Sequence, residues 1–364
     1  MTVDDDLALA RSLLSAILAA VAGSEPGLGW AVAVLRVRRG PIVVVSSAEG
    51  LGWIPPGLFL PAEVTVPAKW SDVFGRAVQE TVLASEGAID PARIFAELSA
   101  VLPGRSRFRV SALASSMAIS DNVRAALGDR AAIEGEVSAA EAAVDLTAPG
   151  PGLVDRFEVA GSEVLLRQAS AVAESDIRAT CLALAGETHE RVRDAVSHVD
   201  DETEAHREQR QLVLDMLRAK GAVPPAWVDE MRAADAMMAA AQRSRRMDVS
   251  HIPIGGRPDT AGSEAVRRMF FERRADELLM LLAAGEPDRQ VLRDMFYTYG
   301  QVIEHPQFPS DRASGVAVSG MPDGLGANPD SAVSAPPAGV APSLIERRIV
   351  EIAGPEGSAL QRST

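Results

Sequence analysis

Apolar residues recur along this chain with two different periods, and the change from one to the other divides it. Leu7, Ala10, Leu14, Ile17, Leu18 and Val21 share one side of a helix, with Asp4, Asp5 and Asp6 favouring the positive end of its dipole. Trp30 to Val37 and Ile42 to Val45 are β-rich runs joined by Arg38-Arg39-Gly40, which predicts a hairpin. Between Gly50 and Pro61 the order breaks. Leu51, Trp53, Ile54, Leu58, Phe59 and Leu60 sit among Gly50, Gly52, Pro55, Pro56, Gly57 and Pro61, so an apolar loop without regular structure is expected. A helix capped by Ser71 or Asp72 begins at Val73. Another starts at Asp90-Pro91, carries Ile94, Leu98 and Val101, and stops at Pro103-Gly104. Phe108, Val110 and Ala112 then alternate with Arg107, Arg109 and Ser111, as in a half-exposed strand. Asn122 to Val144 is mostly helical in pattern.

Ala148-Pro149-Gly150-Pro151-Gly152 reads as a linker, and beyond it the helical period dominates, with Val154 to Val164 ambiguous. Trp227, Met231, Ala234 and Met238 form one stripe, and Phe271, Ala275, Leu278 and Leu282 another. Leu278 to Leu282 is apolar on every side, which places it in the middle of a bundle. Gly285 and Pro287 separate that helix from one carrying Leu292, Met295, Phe296, Tyr299 and Val302. The predicted fold is an α+β N-terminal domain, with a small antiparallel sheet and helices, over residues 1–147. A linker (148–153) and an all-α helical bundle (154–305) follow. Residues 306–342 are rich in Gly, Pro, Ser, Ala and Asp and predict a disordered linker. Residues 343–364 hold a short amphipathic segment with Leu344, Ile345, Val350 and Ile352, and a tail.

Composition narrows the function classes. The net charge of −14 over 364 residues repels phosphate backbones, so neither nucleic acid nor an anionic membrane is an expected partner. The arginine groups at Arg36/Arg38/Arg39, Arg243/Arg245/Arg246 and Arg267/Arg268/Arg273/Arg274 are each interleaved with or flanked by acids or helix turns, and none is joined to a run of aromatics. Leu13 to Val21 is too short to span a bilayer and follows aspartates rather than a basic stretch, so neither stable membrane insertion nor a secretory signal is expected. Cys181 is the only cysteine, which excludes an intrachain disulfide and fits a cytoplasmic protein.

The sequence lacks a nucleophile elbow, a Walker A lysine, an H-E-x-x-H pair and a dinucleotide fingerprint, so no catalytic residue, cofactor or metal is assigned. His198, Glu202 and His206 share a helix face, but the outer two stand about 12 Å apart along it, and the stretch reads as a solvated face. Cys181 and His189 are separated by the same spacing, and a structural thiol is the better reading. The candidate protein-binding residues are Leu51, Trp53, Ile54, Leu58 and Phe59, because an apolar loop covers either its own core or a partner.

Trp30-Ala31-Val32, Ser47-Ala48-Glu49-Gly50-Leu51-Gly52-Trp53-Ile54-Pro55 and Phe270-Phe271-Glu272-Arg273-Arg274-Ala275-Asp276-Glu277-Leu278-Leu279 carry a resemblance. Together they resemble the carboxy-terminal half of EspK-type proteins, which accompany mycobacterial type VII (ESX) secretion systems, and related actinobacterial proteins. The resemblance spans most of Trp30 to His305 and brings no catalytic residues. It implies a cytosolic accessory, adaptor or chaperone-like protein that binds secretion substrates or the secretion ATPase. Two features depart from the family: this sequence starts almost at the module, which a long additional part precedes in EspK-type proteins, and neither Tyr297 nor Tyr299 has an acid four residues on. An enzyme with a site between the two domains, or an oligomeric architectural protein, are the alternative readings.

Overall fold

The computed structural model describes residues 2–37, 40–102, 109–140, 144–195, 200–256 and 260–308. Helix α1 (Val3–Val21) opens with a reciprocal cap: the Thr2 side chain accepts from the Asp5 amide, and the Asp5 carboxylate accepts from the Thr2 amide. Strands β1 (Trp30–Val37) and β2 (Gly40–Ser47) form the expected hairpin, in register from Trp30 opposite Ser47 to Val37 opposite Gly40. Then come β3 (Leu60–Pro61), β4 (Val64–Thr65), a 3₁₀ turn at Pro67–Trp70, and α2 (Ser71–Phe74). Gly75, at φ 76°, breaks α2 from α3 (Arg76–Ser85). Helix α4 (Arg93–Val101), β5 (Arg109–Ser115), α5 (Asp121–Leu127) and β6 (Ala132–Glu134) complete this part.

The five-stranded sheet has the order β4-β2-β1-β5-β6. It is mixed, not antiparallel as expected, because β2 pairs with β4 and β5 with β6 in parallel. Alternation along β1 splits the core: Trp30, Val32 and Val34 face Leu14 and Ile17 of α1, whereas Ala31, Ala33 and Leu35 face Val78, Val82, Phe95 and Leu98 of α3 and α4. With helices on both faces, β5 is buried from Val110 to Ser115 rather than half exposed. Ser111 fits there because its hydroxyl donates to Asp6 Oδ2 at 2.6 Å, and Arg36 Nε donates to the same oxygen at 2.6 Å. The helix expected over 122–144 ends at Leu127, where Gly128 takes φ 72°, and β6 follows.

The expected linker is not a free tether. Strand β7 (Leu153–Val154) pairs with β3, Gly152 accepts from the Ala62 amide at 3.0 Å, and Leu146 accepts from the Phe59 amide at 2.8 Å. The helical part contains α6 (Arg156–Ala160), α7 (Glu163–Ala171), α8 (Ile177–Ala195), α9 (Asp201–Arg218), α10 (Pro225–Arg245), α11 (Thr260–Ala283) and α12 (Arg289–Ile303). Its core is continuous with the α1 side of the sheet. Phe308 corrects the expected start of the disordered linker at 306: it is buried, with its ring centroid 4.9 Å from that of Phe271. The remaining expectations for 306–342 and 343–364 fall on residues outside those described. Among the described residues, no helix is long and apolar enough to cross a membrane.

Candidate functional site

The loop singled out in the sequence turns inward. Gly50, Leu51 and Gly52 all take positive φ (102°, 47° and 71°), which folds the chain back under the sheet. A Cβ at Gly52 would lie 2.9 Å from Val66 Cβ, so the backbone passes where a side chain would not fit. Trp53 (1% exposed), Ile54 (0%), Leu58 (3%) and Phe59 (8%) are buried, and Leu51 is half-buried. The first four therefore offer little surface to another chain: Trp53, Ile54 and Leu58 join the core that continues into the helical part of the same molecule, and the Phe59 amide donates to the Leu146 carbonyl. The Ser47 hydroxyl donates to the Trp53 carbonyl at 2.7 Å, and the Ile54 amide donates to the Tyr297 hydroxyl at 2.9 Å.

Charged residues fill the seam between sheet and helices. Glu49 accepts from Arg273 Nη1 at 2.5 Å and Arg246 Nη2 at 2.8 Å, while Arg273 Nε donates to Asp235 at 2.9 Å. Burial opposes the charge on Glu49, but Arg273, Arg274 and Arg246 outweigh it and hold the carboxyl below the usual range. Arg156 donates to Asp294 and Glu277 at 2.5 Å each, and to the Ile54 carbonyl at 3.2 Å. Glu277 also accepts from the Thr298 hydroxyl at 2.7 Å and pairs with Arg274 Nη1 at 3.1 Å. This seam is where an active site between the two parts would lie; Glu49, Glu277 and Asp294 are each paired with arginine, whereas buried Arg246 Nε and Nη1 and Arg274 Nε make no hydrogen bond.

A second buried network joins α8, α9 and α11, and it corrects the reading of Asp200 to Arg210 as a solvated face at His206, Arg207 and Arg210, while Asp200, Asp201, Glu202, Glu204 and Glu208 are exposed. Arg207 Nε donates to Glu272 at 2.9 Å; Arg210 reaches Glu272 at 2.5 Å, Asp276 at 3.2 Å and His189 Nδ1 at 3.1 Å. His206 Nε2 lies 2.8 Å from Asp276 Oδ2, a hydrogen bond that raises its pKa, whereas Glu202 is exposed. His198 is outside the described residues. Burial lowers His189 to about 4 and raises the Cys181 thiol to about 12, so neither is poised as the nucleophile–base pair considered above.

An open concavity lies elsewhere, between α3, α4 and residues 249–256. It is a groove of about 190 Å³, walled by Ala77, Thr81, Ala84, Val101, Val249 and Gly255, with Glu80 and Glu97 among the polar groups. The two parts of the chain build it together. Buried Arg93 of α4 donates to the carbonyls of Val249 at 2.8 Å, Ile252 at 2.7 Å and Pro253 at 2.9 Å. Glu97 accepts from the Gly255 amide at 2.7 Å and pairs with Arg93 at 2.8 Å. Upstream, the Met247 amide donates to the Gly87 carbonyl at 2.8 Å and the Ile89 amide to the Met247 carbonyl at 3.1 Å. Sequence reading missed this groove because its walls are small residues with no periodic signature. Arg93, one turn before Glu97 on a short helix, was the only available signal.

Residues 8–85 match the model of DUF5632, a family of unknown function. The DUF5632 match covers 78 of the 364 residues, from within α1 to the last residue of α3. It therefore takes in the hairpin, the inward loop and the α3 wall of the groove. A comparison with curated proteins finds no match.

Proposed function

We propose that this protein is a non-enzymatic adaptor that binds a short apolar segment of another protein in the groove between α3, α4 and residues 249–256. The observation carrying this reading is the pinned wall. Three backbone carbonyls converge on Arg93, so the groove is held open by its own framework rather than left to collapse. Ala77, Ala84 and Gly255 are exposed and small, leaving room for a partner's aliphatic side chains, and Val101 adds exposed apolar surface. The resemblance to EspK-type proteins supports placing the adaptor beside a type VII secretion system. A secretion substrate then supplies the apolar segment, with the secretion ATPase the other partner of that class.

A photo-crosslinking amino acid at Val101, in the full chain and in native cytosol, tests the reading. One defined protein is expected, captured from Val101 but not from exposed Met237 of α10, and lost when Ala84→Arg fills the groove. Capture of the same proteins from both positions, or capture unchanged by Ala84→Arg, would overturn it.

A further inference from the structure

The polar side chains that line the groove between α3, α4 and residues 249–256 are already bonded within the chain. The Thr81 hydroxyl donates to the Ala77 carbonyl at 2.8 Å, and the Ser85 hydroxyl to the Val82 carbonyl at 2.7 Å. Arg93 is spent on three carbonyls and on Glu97, whose other oxygen holds the Gly255 amide. The loop wall is bonded in the same way: the Gly256 amide donates to the Pro253 carbonyl at 2.9 Å, and the Ile252 amide to the Val249 carbonyl at 3.0 Å. Neither edge strand of the five-stranded sheet, β4 or β6, contributes to the lining.

This arrangement selects the backbone of whatever binds. An extended peptide docks by lending its main chain to a strand edge, and the groove has none to offer. In an apolar concavity its unpaired amides and carbonyls are costly. A helix brings those groups already bonded and needs only apolar contact from its side chains. Size agrees. The groove's volume of about 190 Å³ gives room for one or two aliphatic side chains, since roughly 150 Å³ suffices for a benzene ring.

Charge selects the flanks of that helix. Glu80 and Glu97 line the groove, Asp90 lies two residues beyond lining Ala88, and exposed Asp248 directly precedes Val249. Arg93, the guanidinium in the lining, is buried and neutralised by Glu97. Arg76 is 88% exposed and pairs with Glu80 across one turn, a surface contact that contributes little. The net charge of −14 draws cationic segments toward the chain from farther away.

We propose that the groove's occupant is a basic amphipathic α-helix, which seats aliphatic side chains one turn apart between α3 and α4 and carries lysine or arginine beside them. This deepens the adaptor reading and rests on the groove being its binding surface.

Fluorescence anisotropy with the full chain tests it. The probe is a labelled alanine–lysine peptide of about 18 residues, long enough to be helical alone, with leucines at i, i+3, i+4 and i+7. Binding is expected. A central proline, which breaks the helix, should weaken it by about tenfold or more. Exchanging the lysines for glutamates should do the same at about 50 mM salt, where screening is modest. In the protein, Ala84→Trp should block the probe and Met237→Trp should not, while the urea midpoint of each stays at the parent value. Glu80→Gln should weaken the lysine probe by about threefold or more and leave the glutamate peptide unchanged. No binding, equal binding of the proline peptide, preference for the glutamate peptide, or indifference to Ala84→Trp would overturn the proposal. Photo-capture at Val101 keeps it apart from the adaptor reading. A defined partner captured there while the helical probe fails sinks the helix assignment alone. Probe binding that meets every expectation, with no partner captured, sinks the adaptor reading and leaves the groove's preference for a basic helix standing.

Discussion

The guanidinium carbon of Arg274 lies 4.1 Å from the ring centroid of Trp53, so the central helix of the bundle rests its charge on the loop that leaves the sheet. Phe270 flanks the same guanidinium at 5.0 Å, and Glu277 balances it at 3.1 Å. Sheet and bundle are therefore held together by contacts in which neither partner is exposed.

Trp53→Ala should destabilise the protein by about 3–5 kcal/mol, the range for removing a buried tryptophan ring. Urea denaturation of the full chain reads it, and the expected curve shifts to lower midpoint without becoming biphasic, because the core runs through both parts. A stability within about 0.5 kcal/mol of the parent would mean the ring is not packed as described.

Glu49→Gln removes the charge on which Arg273 and Arg246 converge. Breaking a buried pair while its partners remain costs about 3–5 kcal/mol. Glu63→Gln is the control: Glu63 is exposed, and its substitution should stay within about 0.5 kcal/mol. Equal effects of the two substitutions would show that the seam charges are solvated.

His206→Ala separates two descriptions of the same helix face. On a solvated face the change is nearly silent. With Nε2 at 2.8 Å from buried Asp276, it should cost about 1–3 kcal/mol by leaving a buried acceptor short of a partner. His206→Asn should recover part of that loss if the hydrogen bond is responsible.

Much of this fold is legible in the sequence, and the illegible parts share a cause. The α1 stripe, the Trp30–Ser47 hairpin and the helices carrying Phe271 and Met295 announce themselves because one periodic face meets one surface. Burial on two faces erases such signals. Ser111 and Asp6 read as exposed until α1 is laid over the sheet. Arg207, Arg210, Glu272 and Asp276 read as solvated charge until α9 meets α11. A hint was present in Phe270 to Leu279, where charges at 272–274 and 276–277 lie between Phe270-Phe271 and the Leu278–Leu282 stretch that is apolar on every side, which fits buried pairing better than solvation. Strands of two residues, such as β3 and β7, have no period at all. For Trp53 the sequence favoured the core and kept a partner as the alternative, since only tertiary structure says which surface covers an apolar loop.

Glu25 gives the seam a pH dependence whose sign is fixed by its surroundings. Its carboxylate lies 3.6 Å from Arg273 and is 15% exposed; burial raises it to about 7, against the pull of Arg273 and Arg274 and with the repulsion of Glu49 and Asp235. An unfolded glutamate releases its proton near about 4.3. Between those values the folded state binds more protons than the unfolded one, so stability falls as pH rises and levels off above about 7. Asp235 is shifted the same way by burial, and its contribution has the same sign. His189 acts oppositely: held down to about 4, it weakens the fold as pH falls below its ordinary value. That effect is shared by parent and variant and cancels between them. Glu25→Gln removes only the glutamate's share. Its stability relative to the parent should therefore increase steadily from pH 5 to pH 7.5, measured by urea denaturation at half-unit steps. Parallel pH profiles for the two proteins would show that Glu25 ionises in the seam as it does in water.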